Sequence, residues 1–344
     1  MRMLIGVAVC AAVCSAGAVR AGDDWTHTLL SDDIENPANA VQFLARGLDG
    51  RTWIGTSAGL ACWRNGKVTF VADEKGERLG VAAYAVLEIG EDDFWIGHGG
   101  GAIHVRAGRM EHSLQGRRVA PIVRVNGGVL WALGKDGQDR SALYENADGA
   151  WKPVPRFAKE RVVDLFQSSD GALWLTIEGN GIHQIDPRKG IEASVHHLKG
   201  LNVNAVAQDA RRHVWCGLWG RGLREFDGQK WTEHLPQCAA AFLGIAFDAG
   251  GAVYAATDRG EVWRGDGTTW RKDLVNEGAV HLLAGTADGR VWVNSQAVEG
   301  LRWRDGTKWV VSLASALPVR CVLQAADGAL VAGGVLDGIY TLRR

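Results

Sequence analysis

Several features are scarce in this 344-residue sequence. After the first residues, no apolar run holds a helical period long enough to form a helix, which removes the helical fold classes. None reaches the length of about 20 residues that a membrane span needs, so no transmembrane anchor is expected. Neither sign of charge is in excess, with 38 Lys and Arg against 39 Asp and Glu, and nothing points to nucleic acid or an anionic membrane surface. Six cysteines are present and none form a CxxC pair. The histidines are scattered and lack HExxH spacing, and adjacent His196 and His197 would point to opposite faces of a strand. No metal or cofactor is therefore expected.

The opening MRMLIGVAVCAAVCSAGAVRA pairs an early Arg2 with an apolar run and small residues ending at Ala21. This is the pattern of a secretory signal peptide, residues 1–21, cut after Ala21. A lipid-anchored alternative would acylate Cys10 or Cys14, but each follows a valine rather than a small residue. Losing Arg2 and Arg20 leaves 36 basic against 39 acidic residues, and four cysteines: Cys62, Cys216, Cys238 and Cys321. A Cys216–Cys238 bridge is conceivable in an oxidising compartment; isolated thiols are the expected state.

What is abundant is Trp, with 15 residues, and Gly, with 46. They recur together. The passage from Asn202 to His234, NVNAVAQDARRHVWCGLWGRGLREFDGQKWTEH, holds four short strand-like segments separated by three turns, two of them containing Gly. Its central Trp215 has counterparts at Trp53, Trp95, Trp131, Trp174, Tyr254, Trp292 and Val331, spaced 36 to 43 residues apart. A period of about forty with four strand-like runs per unit predicts a β-propeller, all-β and built of four-stranded antiparallel blades. Eight anchors predict eight blades in a single domain over residues 22–344, with seven as the alternative should the unit at Trp131 or Val331 be miscounted.

The ends of the chain fit circular closure. Outer strands read Trp-x-x-x-Leu at Trp231 and Leu235, Trp270 and Leu274, and Trp309 and Leu313. Trp25 and Leu29 have the same spacing with no module before them, while the last unit stops after its third strand. The N-terminal segment is thus expected to supply the outer strand of the last blade. Twelve and nine positions before every anchor the chain is apolar, from Val41 and Leu44 to Val319 and Val322. Several of these inner strands are apolar nearly throughout, which predicts coverage on both faces.

Four stretches carry a further resemblance: DGRTWIGTSAGL (Asp49 to Leu60), DDFWIGHGGGAI (Asp92 to Ile103), DGALWLTIEGNGI (Asp170 to Ile182) and RHVWCGLWGRGL (Arg212 to Leu223). Together they resemble the two-component regulator propeller repeats, over almost the whole chain after the leader. The resemblance implies an extracytoplasmic sensor or interaction module, non-catalytic and stand-alone, serving signal transduction through a separate protein. Fold alone does not fix activity.

The position eleven before each anchor varies while its neighbours stay apolar: Gln42, Tyr84, Ala120, Val163, Asn204, Leu243, His281 and Arg320. A rigid frame beside a variable position suits a binding mouth. Tyr84, Asn204, His281 and Arg320 are therefore expected around the central channel, with His98, Glu178, Asn180, Trp219 and Arg221 on the surrounding turns. Trp219 is the one Trp in a turn rather than a strand, and beside Arg221 it suits stacking on a sugar or holding a peptide side chain. This mixture fits a polar small molecule, a glycan or peptide ligand, or an envelope protein partner.

The alternative is a propeller-fold polysaccharide lyase or hydrolase, for which His281, His98 and Glu178 are the available acids and bases. His98-Gly99-Gly100-Gly101 matches an oxyanion-hole tetrapeptide, but no Gly-x-Ser-x-Gly accompanies it and the repeat already places glycines there. Asp-Gly pairs such as Asp170-Gly171 read first as hairpin turns.

Overall fold

The computed structural model describes residues 25–33, 36–64, 66–125, 128–138, 140–275, 278–295, 298–313 and 318–343. The expected signal peptide, residues 1–21, lies outside them. The described chain forms eight four-stranded antiparallel sheets. Each is one repeat, so the eight anchors correspond to eight blades. Blade 5 is representative, with strands Val203–Gln208, Val214–Leu218, Leu223–Phe226 and Trp231–His234 paired in that order. Inner strands pack mainly on those of neighbouring blades, and each inner strand also meets the second strand of the blade before it.

Every anchor is buried, from Trp215 and Trp292 at 0 % exposure to Trp95 at 8 %. Four also secure the turn between strands one and two. The side chains of Trp174, Trp215, Tyr254 and Trp292 hydrogen-bond to Ser168, Asp209, Asp248 and Thr286, each six residues earlier. One side chain thus fills the space between sheets and fixes the adjoining hairpin.

Burial along the strands differs from expectation in one respect. The second strand is the one covered on both faces; all five residues are buried in Thr52–Thr56, Leu173–Ile177, Val214–Leu218 and Val291–Ser295. Inner strands are only partly buried, because they surround the axis and have no further strand on that side. In blades 2, 5 and 8 a glycine two positions after the anchor lets the next blade approach. A Cβ on Gly97 would lie 2.4 Å from the Val119 carbonyl oxygen, and one on Gly217 would lie 2.9 Å from Phe242. At these points the second strand lies directly against the next inner strand.

The ring closes as expected. Thr26–Thr28 pairs antiparallel with Ile339–Leu342, completing the sheet that contains Leu330–Gly334 and Val319–Gln324. Trp25 is buried beside Trp292, Leu301 and Tyr340, and its indole N–H donates to Ser312 Oγ at 3.0 Å. The residue after the strand departs from the repeat: Leu29 is 36 % exposed, and Leu30 is buried instead. The cause is Asn39, itself fully buried. Its Oδ1 accepts from the Leu30 and Ser31 amides at 2.7 and 3.0 Å, and its Nδ2 donates to the Ser31 and Asp33 carbonyls. The Asn39 carbonyl also accepts from Gly338 N–H at 2.8 Å, which ties blade 8 to the same residue.

Among the described residues, Cys62, Cys216, Cys238 and Cys321 are free thiols. Burial pushes the Cys321 thiol up to about 12 and raises that of Cys216 further, so neither is a reactive thiolate. No helix among the described residues is long and apolar enough to cross a membrane.

Replacing Asn39 by alanine removes four hydrogen bonds to the Leu30, Ser31 and Asp33 backbone, that of the Leu30 amide being buried. The expected cost is about 3 kcal/mol, read as a lower urea midpoint. A loss no larger than that of an ordinary surface substitution would show that Asn39 does not hold the closure.

Candidate functional site

The turn between the second and third strands lies beside the start of the inner strand. In six blades the first residue of that turn donates its N–H to the carbonyl just before the inner strand: Ser57 to Ala40, Gly99 to Ala82, Glu178 to Arg161, Trp219 to Asn202, Asp258 to Ala241 and Val335 to Pro318, at 2.9 to 3.2 Å. These contacts define one face, the mouth.

At the same place all eight inner strands carry a register shift with one extra residue. In seven blades the unpaired residue is the variable one: Gln42, Tyr84, Val163, Asn204, Leu243, His281 and Arg320. In blade 3 the shift spans Ala120 and Pro121. A bulge removes one residue from the ladder and re-aims its side chain. Here it recurs around the ring.

The expected residues divide into three groups. Asn204 and His281 are exposed, and their side chains make no hydrogen bond among the described residues. Arg320 and Tyr84 instead reach between blades: Arg320 donates to Gln42 Oε1, and Tyr84 lies 4.2 Å below the Arg118 guanidinium. Gln42 in turn donates to Ser57 Oγ at 2.6 Å.

On the turns, Trp219 is 57 % exposed although its backbone is fixed by Asn202 and by a bridge to Ala241. Arg221 beside it is exposed, and among the described residues only its carbonyl has a partner, the Arg224 guanidinium. Glu178 forms a half-exposed ion pair with Arg161 at 2.6 Å, a geometry that contributes little stability. Asn180 offers its carbonyl to His196 Nε2 at 2.6 Å.

His98 is placed differently from expectation, with its ring buried at 6 % exposure. Its Nδ1 accepts from Gly100 N–H at 3.1 Å, and burial, then His112, lowers its pKa. It braces its own turn. The glycines beside it form no oxyanion hole either, because Gly99 N–H is taken by Ala82 and Gly100 N–H by His98. Arg118, Arg161 and Arg259 at the mouth were missed by the sequence reading. For the first two a signal existed: they stand thirteen before their anchors, where the turn docks.

Two features lie away from these residues. A cavity of about 520 Å³ runs between the N-terminal segment and the outer strand of blade 1, lined by Leu29, Leu30, Val68, Phe70 and Arg78 among others. None of the nine expected residues lines it. In blade 5, Asp209, His213 and Glu225 bring potential metal ligands within 4.8 Å of one another. The Arg211 guanidinium already bonds both carboxylates, and His234 takes the second Glu225 oxygen at 3.0 Å. This set reads as a charge network bracing the blade.

Under blade 4 the His183 ring stacks on His196 at 4.1 Å, and neither ring nitrogen has a hydrogen-bond partner. Burial, then the charge of His196, lowers its pKa from 6.5 to about 4.

These features define an eight-bladed propeller whose mouth carries one bulged residue per blade. No family model matches the chain, and no curated protein matches it. Solved structures do. The extracellular domain of the hybrid two-component system BT4673 from B. thetaiotaomicron is similar with a TM-score of 0.57 at 15% identity, over 94% of this chain and 40% of that one. This chain therefore spans less than two thirds of that domain. Virginiamycin B lyase from Staphylococcus aureus, solved as a catalytically inactive variant with quinupristin, gives a TM-score of 0.59 at 12% identity over 94% of this chain and 100% of its own. YCF48 from Cyanidioschyzon merolae gives 0.52 at 16% identity over 78% and 95%, and another YCF48 structure holds a D1 peptide. At such identities the likeness is one of fold. It agrees with the propeller that the repeat motifs imply.

His183 gives a pH-dependent prediction. Its folded-state pKa lies below the unfolded value, so its contribution is intact above pH 6.5 and is lost as the pH falls toward 4. The expected loss is up to about 3 kcal/mol. Urea midpoints across this range should fall less steeply for His183→Phe than for the parent; parallel profiles would refute the assignment.

Proposed function

We propose that this chain is an extracytoplasmic binding propeller, a sensor or interaction module that recognises its ligand or partner at the mouth. The observation that carries the reading is the register shift repeated in all eight inner strands. It releases one side chain per blade from the sheet, and the released side chains differ in chemistry around the ring. Trp219, fixed in backbone and open in side chain, is the anchor. Asn204, His281 and Arg221 provide polar contacts. Tyr84 and Arg320 shape the rim between blades, while Glu178 and Asn180 border it.

A periplasmic or secreted location draws support from the leader-like first 21 residues and from likeness to an extracellular domain. The two-component resemblance supports a role in signalling through a separate protein. A lyase or hydrolase would need an acid and a base converging on one substrate. The residues considered for those roles stand on blades 2, 4 and 7, with His98 buried and Glu178 paired to Arg161. Geometry therefore favours binding.

Native envelope extract passed over the immobilised mature chain should yield a retained ligand or protein. Trp219→Ala combined with Arg221→Ala should abolish retention, since Trp and Arg at binding hot spots each contribute about 2 kcal/mol or more. Retention undiminished in that variant would remove the mouth as the binding site.

A further inference from the structure

The charges and apolar groups of the mouth are unevenly distributed, and their arrangement narrows the class of partner. On blades 3, 5 and 6, Arg118, Lys135, Arg221 and Arg259 form no ion pair among the described residues. Arg118 lies over Tyr84, and Arg259 reaches only the Ala239 carbonyl, at 3.4 Å. Of the nearby carboxylates, Asp136 pairs with Arg117 and Arg140 and Glu178 with Arg161, while Asp164 and Asp258 accept only from the Leu165 and Ala241 amides, so four cations face two uncompensated carboxylates. On the opposite face Arg51, Arg188, Arg211 and Arg290 pair with Asp49, Asp186, Asp209 and Asp288, while Lys189, Arg212, Lys230 and Lys308 form no ion pair among the described residues. What sets the arc over blades 3, 5 and 6 apart is that its unpaired cations stand beside exposed apolar side chains.

Exposed apolar side chains share that arc. Besides Trp219, Val163 is 39 % and Leu243 is 44 % exposed. Leu243 follows the connector that holds Trp219, because Trp219 bridges Ala241 and Gly220 N–H donates to Ala240. The Arg259 guanidinium rests on Ala239 of the same connector. Trp219, Leu243 and Arg259 are therefore organised by one short backbone segment. Its fixed hydrogen bonds reduce the ordering cost of binding.

We propose that this arc takes an acidic peptide segment of a partner protein, with an aliphatic or aromatic side chain seated on Trp219 and Leu243 and flanking carboxylates paired with Arg221 and Arg259. The inference rests on the mouth reading above and adds the partner's chemistry. Unpaired cations call for anions, and planar guanidinium groups suit carboxylates. An acidic glycan would satisfy the cations and could stack on Trp219, but it would leave Leu243 and Val163 without apolar contact. A peptide satisfies both kinds of group.

The test measures fluorescence anisotropy of a labelled peptide of alternating Glu and Leu, and of its Lys-for-Glu counterpart, with the mature chain at low and high salt. Oligogalacturonate serves as a third probe. The acidic peptide should bind at least about tenfold more tightly than the basic one and weaken as salt rises. Arg221→Glu with Arg259→Glu should cost at least about tenfold, as should Trp219→Ala, with thermal midpoints unchanged. Equal binding of the two peptides, or acidic-peptide binding unaffected by both variants, overturns the proposal. Oligogalacturonate binding that depends on Trp219, without acidic-peptide binding, also overturns it but leaves the mouth reading standing. That reading fails separately if the mouth substitutions leave retention of the native ligand or partner intact.

Discussion

A ring of sheets needs a closing contact, and in this protein the contact depends on a buried amide. The Asn39 side chain satisfies four backbone groups of the segment after Thr28, and its carbonyl holds Gly338. The strand pairing of Thr26–Thr28 is only three residues long. A pairing that short is marginal alone. With Asn39 on one side and buried Trp25 on the other, the N-terminal segment is held by hydrogen bonds and by apolar packing together. Each blade shares its faces with two others, so the closure bears on the whole ring.

Between closure and mouth the repeated unit divides its tasks by strand. The second strand carries the packing, with its anchor side chain and, in several blades, a glycine that lets the next sheet approach. The inner strand packs less completely and meets the axis. Its extra residue at the mouth is tolerated because the neighbouring positions, Val203 and Val206 in blade 5 for example, remain buried or partly buried and hold the sheet in register.

Much of this was legible in the sequence for a physical reason: anchors, turns and blade number repeat, and repetition averages out local ambiguity. Trp215 alone would say little, but eight equivalents at similar intervals define the unit. What happens once does not repeat and is harder to read. Asn39 resembles an ordinary turn residue, since its role depends on Leu30 and Asp33 arriving from a different blade. Leu29 copied the spacing of Leu235 yet ends exposed, because the N-terminal strand stops at Thr28 and the chain turns toward Asn39. His98 lies within a turn motif, but nothing local reveals that its ring folds inward and accepts from Gly100. Variation at the mouth positions was visible in the sequence; its cause, an unpaired residue in each inner strand, required the strand registers.

Those unpaired residues have a further consequence. Because each is excluded from the ladder, its identity is only loosely coupled to the sheet that carries it. Asn204 and His281 occupy equivalent places in blades that otherwise pair alike. Replacing Asn204 or His281 thus leaves the folding instructions untouched, whereas Gln42 and Arg320, hydrogen-bonded across the closing seam, would have to change as a pair.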